Sequence, residues 1–158
     1  MSETADAKRV KEILAKVKPL AAEYYKLTGK PLGVTGEVAE YVAAETLGLE
    51  LAPPRTLGYD ALRRTRMGKE RIQIKGRAYG VDAKPGQRLG RIKRGSPCDY
   101  VLLVILDNRT LDLREIWEAS MAAVDARLAV PGSNARKHGA LGVSEFRKHC
   151  AGRRIWPE

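Results

Sequence analysis

The chain has 158 residues, of which 44% are hydrophobic and 30% charged, and its formal net charge is +10. This length and composition indicate one globular domain with a core of its own. No apolar run approaches the length of a membrane span, and the polar first residues, 1–11, do not resemble a signal peptide. Because Cys98 and Cys150 lie far apart with no CxxC pair, we expect a cytoplasmic protein with reduced thiols and no membrane association.

Two helices are predicted at the start of the chain. Apolar residues at three-four spacing predict the first over residues 5–28, with Pro19 expected to kink or split it. Thr35 is a favourable N-cap for the second helix, which should run to about Leu47 and end at Gly48.

The hydrophobic pattern then changes from helical to strand period. Residues 56–62 and 70–77 predict two strands joined by a basic turn at 66–69. Residues 78–97 are rich in glycine and predict a loop. Residues 99–106 form a continuous β-branched and aliphatic run, which is typical of a central strand buried on both faces.

The rest of the chain predicts one more strand and two more helices. Asp107-Asn108 signals a turn, after which residues 111–116 continue as a paired strand. Apolar residues from Trp117 to Leu128 share one face of a third helix, and Ser144 is expected to cap a short C-terminal helix. We therefore expect an α/β or α+β fold in which helices flank a mixed sheet of about four to five strands. The single domain, 1–158, would comprise N-terminal helices at 5–48, a sheet core at 55–117 and a C-terminal helical part at 118–158.

Positive charge is concentrated in one quarter of the chain. Residues 55–94 contain 13 Lys/Arg and 3 Asp/Glu, whereas the remainder contains 16 of each. Such segregation is better explained by a polyanionic partner than by scattered solvating lysines, and the predominance of arginine suits phosphate. A solvated basic hairpin is the alternative interpretation. The expected nucleic-acid contacts are Arg63, Arg64, Arg66, Lys69, Arg77, Tyr79, Arg88, Arg91, Lys93 and Arg94.

Polar residues on the two predicted strands form a candidate metal site. Gln73 and Lys75 share one face of the second strand, and a hairpin would bring Asp60 beside them. Asp60 could supply a carboxylate to Mg²⁺, Gln73 an amide oxygen and Ile74 its backbone carbonyl. Lys75 could position or deprotonate an attacking water, or stabilise charge on the phosphorane. A surface strand with alternating polar residues is the alternative.

The pattern resembles the PD-(D/E)XK nuclease superfamily, which has the restriction-endonuclease-like fold, over residues 33–117. The matching segments are Gly36-Glu37, Gly58-Tyr59-Asp60, Gln73-Ile74-Lys75 and the strand that begins at Asp99-Tyr100. The resemblance implies a metal-dependent endonuclease that hydrolyses phosphodiester bonds of DNA, expected to be double-stranded, with Mg²⁺ as cofactor and Mn²⁺ as a substitute. It also implies a set of catalytic residues, namely Asp60, Gln73, Lys75 and Glu37, and a set of metal ligands, namely Asp60, Gln73, Glu37 and the carbonyl of Ile74.

Two residues depart from the superfamily pattern. Tyr59 replaces the proline before the first acid, and Gln73 stands where an acid is usual, which lowers metal affinity unless Glu37 compensates. A glutamate in a first helical turn is also favoured by the helix dipole alone, and Glu45 is the alternative carboxylate. Asp82-Ala83-Lys84 formally fits the acid-x-Lys motif, but Pro85-Gly86 follows it, so we interpret it as loop.

Three functions follow from these features. The first is a magnesium-dependent DNA endonuclease, and the second is a non-catalytic nucleic-acid-binding module with a degenerate nuclease site. The third is a structural or interaction subunit whose basic loop meets an acidic protein. The sequence leaves open a homodimer, and it leaves open restriction, repair or junction resolution as the biological setting.

Overall fold

The computed structural model describes residues 4–80 and 86–158. Within these ranges, no helix is both long enough and apolar enough to cross a membrane. The elements in chain order are α1 (Ala5–Thr28), α2 (Thr35–Leu47), β1 (Glu50–Leu51), β2 (Ala61–Thr65), β3 (Gly68–Ala78), β4 (Tyr100–Leu106), β5 (Leu113–Ser120), α3 (Met121–Leu128), α4 (Asn134–Lys137), α5 (Val143–His149) and β6 (Arg153–Trp156).

The strands form one six-stranded sheet in the order in which they occur in the chain. Every neighbouring pair is antiparallel except β3 and β4, which run parallel. The mixed sheet flanked by helices confirms the predicted class. The expected number of strands was too low, because the edge strands β1 and β6 are too short to show a period in the sequence. The expected C-terminal helical part was incomplete because it contains β6.

The central strand β4 is buried on both faces, as predicted. Leu102 and Val104 belong to a core cluster with residues of α1 and α2. Val101 and Leu103 belong to a second cluster with residues of α3 and α5. The sheet is therefore the middle of three layers, and a long apolar run is what such a strand requires.

The first two helices have the predicted bounds with two corrections. α1 continues through Pro19 without a break, and this residue lies on the exposed side of the helix, where water can bond the carbonyl that proline leaves unpaired. Thr35 is the first residue of α2 rather than its cap; Val34 holds the cap position without a side-chain bond. Gly48 ends α2 at φ 68°, a left-handed conformation that glycine adopts without strain.

The boundary between β5 and α3 lies later than predicted. Trp117 pairs with Leu103 of β4, so it is a strand residue although its spacing fits the face of the following helix. Ser120 caps α3 by accepting a hydrogen bond from the backbone N–H of Ala123 at 3.1 Å. Ser144 lies inside α5, whose N-cap is Gly142. Pairing with a buried strand outweighs local helical spacing at this boundary.

Candidate active site and nucleic-acid interface

Asp60 lies against β3, immediately before β2 begins, and not within a strand as predicted. Its backbone N–H donates to the carbonyl of Ile72 at 2.8 Å. Its Oδ2 accepts the N–H of Ile74 at 2.7 Å. In a strand the N–H and C=O of one residue point to the same side, so the carbonyl of Ile74 also faces Asp60. The predicted adjacency of this carboxylate and the Gln73-Ile74 segment is therefore present.

Gly58 fixes the path of the chain into Asp60. Its φ is 85°, and a Cβ placed there would lie 2.3 Å from Cδ of Pro97. Any side chain would therefore meet both backbone strain and a collision with the residues that precede β4. Gly58 is thus required for the chain path that brings the Asp60 carboxylate to β3.

Gln73 carries a buried oxygen without a hydrogen-bond partner. It lies on the face of β3 opposite Ile72 and Ile74, which are buried beneath α2. Its Oε1 is buried and accepts no hydrogen bond from any part of the chain that the structure describes. Leaving such an acceptor unsatisfied costs about 1–3 kcal/mol. A cation or a hydrogen-bond donor on a ligand would satisfy this oxygen.

Glu40 is a carboxylate at the site that the sequence interpretation missed. It is half-buried, and its pKa is raised, first by burial and then by the negative charges of Asp60 and Glu37. The positive charge of Lys75 acts on the same carboxylate in the opposite direction. Asp60, Glu37 and Lys75 therefore each lie within electrostatic range of Glu40. The spacing of Glu37 and Glu40, three apart on a helix, was the available signal.

Gly76 allows α2 to approach β3 closely enough to bring Glu40 to this site. A Cβ at Gly76 would lie 2.5 Å from Cβ of Ala39 and 3.1 Å from the carbonyl oxygen of Thr35. Only a residue without a side chain permits this contact. The glycine one position after the Gln73-Ile74-Lys75 motif thus determines where the acidic edge of α2 sits.

The other acidic candidates differ in position. Glu37 is exposed in the first turn of α2, where its charge still acts on Glu40. Glu45 is exposed and accepts a hydrogen bond from Nζ of Lys11 in α1 at 2.5 Å, so it is turned away from the site. The alternative motif Asp82-Ala83-Lys84 lies outside the described residues.

The donor set fits Mg²⁺ better than zinc. Magnesium is usually held by one or two carboxylates and keeps several waters. Asp60, the unpartnered Gln73 oxygen and the Ile74 carbonyl are hard oxygen donors of this kind, and Glu40 is a further carboxylate that approaches Asp60 from the α2 side of the sheet. In the described ranges, no three His, Cys, Asp or Glu side chains converge as a metal-binding group. The set thus depends on an amide and a carbonyl, and it would complete its ligand shell with water or phosphate.

The cysteines contribute no nucleophile. Cys98 and Cys150 are buried free thiols. Burial is the largest cause that raises the pKa of each to about 11. A thiol at such a pKa holds its proton near neutral pH, so both residues act as small core side chains.

The glycine-rich segment after β3 is anchored to the fold. The backbone N–H of Leu89 donates to Leu141 at 2.8 Å, and that of Ile92 donates to Gly139 at 2.9 Å. The side chains of Leu89 and Ile92 are 3% and 0% exposed in the second core cluster. Four exposed cations stand on this anchored backbone and together form what we call the basic ridge: Arg88, Arg91, Lys93 and Arg94.

The basic ridge adjoins the candidate site. A Cβ at Gly90 would lie 3.8 Å from Cδ of Lys75, so the ridge passes over this lysine. The half-buried Arg77 donates from its guanidinium to the carbonyl of Arg88, and its Nε is buried without a partner among the described residues. Burial lowers the pKa of Arg77. A cation held in this way beside Lys75 is suited to an anionic ligand.

The hairpin cations are less available than their number indicates. Arg63 donates to Glu70 at 2.7 Å and to the buried Glu118 at 2.5 Å, so it serves an internal ion-pair network. Arg64 and Lys69 lie 3.5 and 3.6 Å from the carboxylate of Glu50. The remaining predicted contacts are Arg66, which is exposed at the turn, and Tyr79, which is half-buried against the second core cluster.

Comparison with known proteins assigns no family to the chain. No protein-family model matches it, and no curated protein is significantly similar to it. The geometry of β3, α2 and the basic ridge is therefore the basis for proposing a function.

Proposed function

We propose that this protein is a metal-dependent endonuclease that hydrolyses phosphodiester bonds of DNA, as the resemblance to the PD-(D/E)XK superfamily implies. The observation that carries the proposal is the buried, unpartnered Oε1 of Gln73. It lies one residue from the N–H that Asp60 binds. Folding leaves this oxygen without a partner in a place where a cation would satisfy it.

Each residue at the site has a proposed role. Asp60, Glu40, Gln73 and the Ile74 carbonyl would hold Mg²⁺, with Mn²⁺ as a substitute. The bound ion would act as a Lewis acid toward a phosphoryl oxygen. Lys75 would position the attacking water by a hydrogen bond through Nζ. The new P–O bond would form as the P–O bond to the leaving oxygen breaks; the attacking water would release its proton to solvent, and the leaving oxygen would take one up from solvent. The guanidinium of Arg77 would bind a phosphate oxygen.

Glu40 is the carboxylate that would offset the neutral Gln73. The superfamily pattern has an acid at this position of β3, and the sequence suggested Glu37 as the compensating group. Glu40 is the more buried of the two, and its pKa is raised, after burial itself, by Asp60. A divalent cation between Asp60 and Glu40 would relieve this repulsion, so metal binding and ionisation of Glu40 should be coupled. Glu37 would act at longer range.

The basic ridge would bind double-stranded DNA next to the reacting phosphate. Its four cations are exposed, and its backbone is fixed by buried Leu89 and Ile92. A fixed row of cations loses less conformational entropy on binding than a mobile loop would. Phosphate contacts of this kind make affinity strongly dependent on salt.

A non-catalytic DNA-binding module is the second candidate. It is favoured by the neutral Gln73 and by the absence, within 4–80 and 86–158, of three converging His, Cys, Asp or Glu side chains. The two candidates share the basic ridge and differ in whether the site holds a metal. Binding to DNA therefore cannot separate them, whereas metal-dependent cleavage can.

The experiment is nicking of supercoiled plasmid with Mg²⁺, Mn²⁺ or EDTA, with DNA affinity measured on the same samples. We expect slow, metal-dependent nicking, which Gln73→Glu should accelerate because a carboxylate restores a negative ligand. Isothermal titration of Mg²⁺ should show tighter binding to Gln73→Glu. The control is Gln87→Glu, which adds the same charge on the segment that leads into the basic ridge. If the wild-type protein and Gln73→Glu both bind DNA but neither cleaves it, the protein is the non-catalytic DNA-binding module.

A further inference from the structure

Helix α1 has a second apolar face that the fold does not cover. Leu14 and Ala21 pack into the first core cluster and define the face that meets the rest of the domain. Lys18 donates to Asp112 at 2.6 Å and fixes how α1 is rotated on the domain. Five large apolar side chains point elsewhere: Val10, Ile13, Leu20, Tyr24 and Leu27, which are 44%, 46%, 60%, 40% and 77% exposed.

With the half-buried Val17, these residues form what we call the α1 stripe, at positions 10, 13, 17, 20, 24 and 27. The spacing alternates between three and four residues, which is the a/d repeat of a helix that packs along another helix. α1 has 24 residues, and a helix of that length spans about 36 Å. Scattered exposed apolar residues are ordinary on a monomer, whereas a continuous row is typical of an interaction site.

We propose that the α1 stripe binds the α1 stripe of a second copy of this chain, with the two helices antiparallel. In this register Val10 packs beside the partner's Leu27, Ile13 beside the partner's Tyr24 and Val17 beside the partner's Leu20. The two-fold axis then generates the three reciprocal contacts, so every stripe residue has an apolar partner. Such an isologous interface closes as a dimer. The proposal is independent of the proposed nuclease activity.

Charge determines the orientation. Lys16 and Glu23 are exposed and flank the stripe on its outer edge, at equivalent positions of successive heptads. In the antiparallel register Lys16 faces the partner's Glu23, and Glu23 faces the partner's Lys16. In a parallel register the same residues would face the partner's Ala21 and Thr28, with no opposite charge. Complementary flanking charges therefore favour the antiparallel pair and argue for a second copy as the occupant.

The test is the mass of the full chain in solution across a dilution series, by sedimentation equilibrium. We expect twice the 17.4 kDa chain mass at high concentration, with dissociation on dilution. Leu20→Glu should weaken dimerisation by at least about 10-fold, because it buries two carboxylates at the centre of the stripe. The control Leu57→Glu alters a residue that is 86% exposed outside the stripe and should leave the mass unchanged.

A charge exchange tests the register. Lys16→Glu should weaken the dimer by about 2–5-fold, since exposed ion pairs contribute modestly, and adding Glu23→Lys should restore it. Circular dichroism and Tm of each variant show whether the domain stays folded. A monomeric wild-type chain up to about 100 μM, a concentration at which a micromolar dimer would be populated, overturns the proposal. So does a dimer that Leu20→Glu leaves intact, or one in which the second charge change fails to rescue the first.

Discussion

The two halves of β3 differ in how their polar groups are paired. In residues 68–71, Glu70 bonds Arg63 at 2.7 Å, and the backbone N–H of Arg71 donates to Asp99 at 2.7 Å. In the half that starts at Gln73, Oε1 of Gln73 and Nε of Arg77 are buried without partners among the described residues. Since unpaired buried polar groups are unfavourable in the free protein, their concentration in one half of β3 supports the proposal of a ligand site there.

The two regions also differ in what their positive charges do. Arg63, Arg64 and Lys69 of the hairpin lie near acidic groups of their own sheet, and Arg63 is the clearest example. The basic ridge lies above Lys75, in the half of β3 whose buried polar groups are unpaired. The same residue types thus serve folding in one region and are available for a polyanion in the other.

The largest expected effect comes from removing, one at a time, the carboxylates that contact the two halves of β3, which are Asp60 and Asp99. Asp60→Asn should lower the rate of Mg²⁺-dependent plasmid nicking by at least about 100-fold, because the amide removes the charge that would hold the ion. Asp99→Asn removes the same charge from the paired half, where the carboxylate serves Arg71. Its nicking rate should stay within about 3-fold of wild type, since the effect falls on local stability. Equal rates for the two variants would refute this division of β3.

A smaller effect is expected on DNA affinity. Replacing Arg88, Arg91 and Arg94 by Ala should reduce the slope of log affinity against log salt by about one for each lost phosphate contact. Fluorescence anisotropy with a labelled duplex between about 50 and 200 mM salt measures this slope. The matched control removes three exposed cations of α1, Lys8, Arg9 and Lys26. A slope that falls equally in both variants would mean that net charge, and not the basic ridge, controls binding.

The smallest expected effect is a gain in stability from Glu40→Gln. Because the pKa of Glu40 is raised in the folded protein, ionisation at higher pH destabilises the fold, and this penalty disappears at acidic pH, where the carboxyl is protonated. The variant should therefore raise Tm without metal by roughly 1–3 °C at about pH 8 and leave it unchanged at about pH 4. Mg²⁺ should reduce the difference at the higher pH.

The matched control for this change is Glu45→Gln on the same helix. Glu45 is exposed and pairs with the opposite charge of Lys11 at 2.5 Å. Its Tm at about pH 8 should be unchanged or slightly lower, as expected for an exposed pair. A gain of equal size in both variants would show that lowering the negative charge of α2, and not the position of Glu40, is responsible.

The sequence by itself determined the elements whose hydrophobic period is regular over contiguous residues. The bounds of α1 and α2 and the buried central strand were confirmed. They could be predicted because the helical and strand periods depend on the order of apolar and polar side chains along the chain. The juxtaposition of Asp60 with the Gln73-Ile74 segment also followed, since a hairpin links residues close in the chain. The catalytic roles of these residues remain predictions.

The tertiary structure decided what depends on distant segments. β6 became a strand because β5 offers it an edge, and Trp117 joined β5 because Leu103 pairs with it. Glu40 entered the site because Gly76 lets α2 approach, and Arg63 was withdrawn from the surface by Glu118. Local period cannot encode these outcomes. Pairing, burial and electrostatic coupling are sums over groups that only folding brings together.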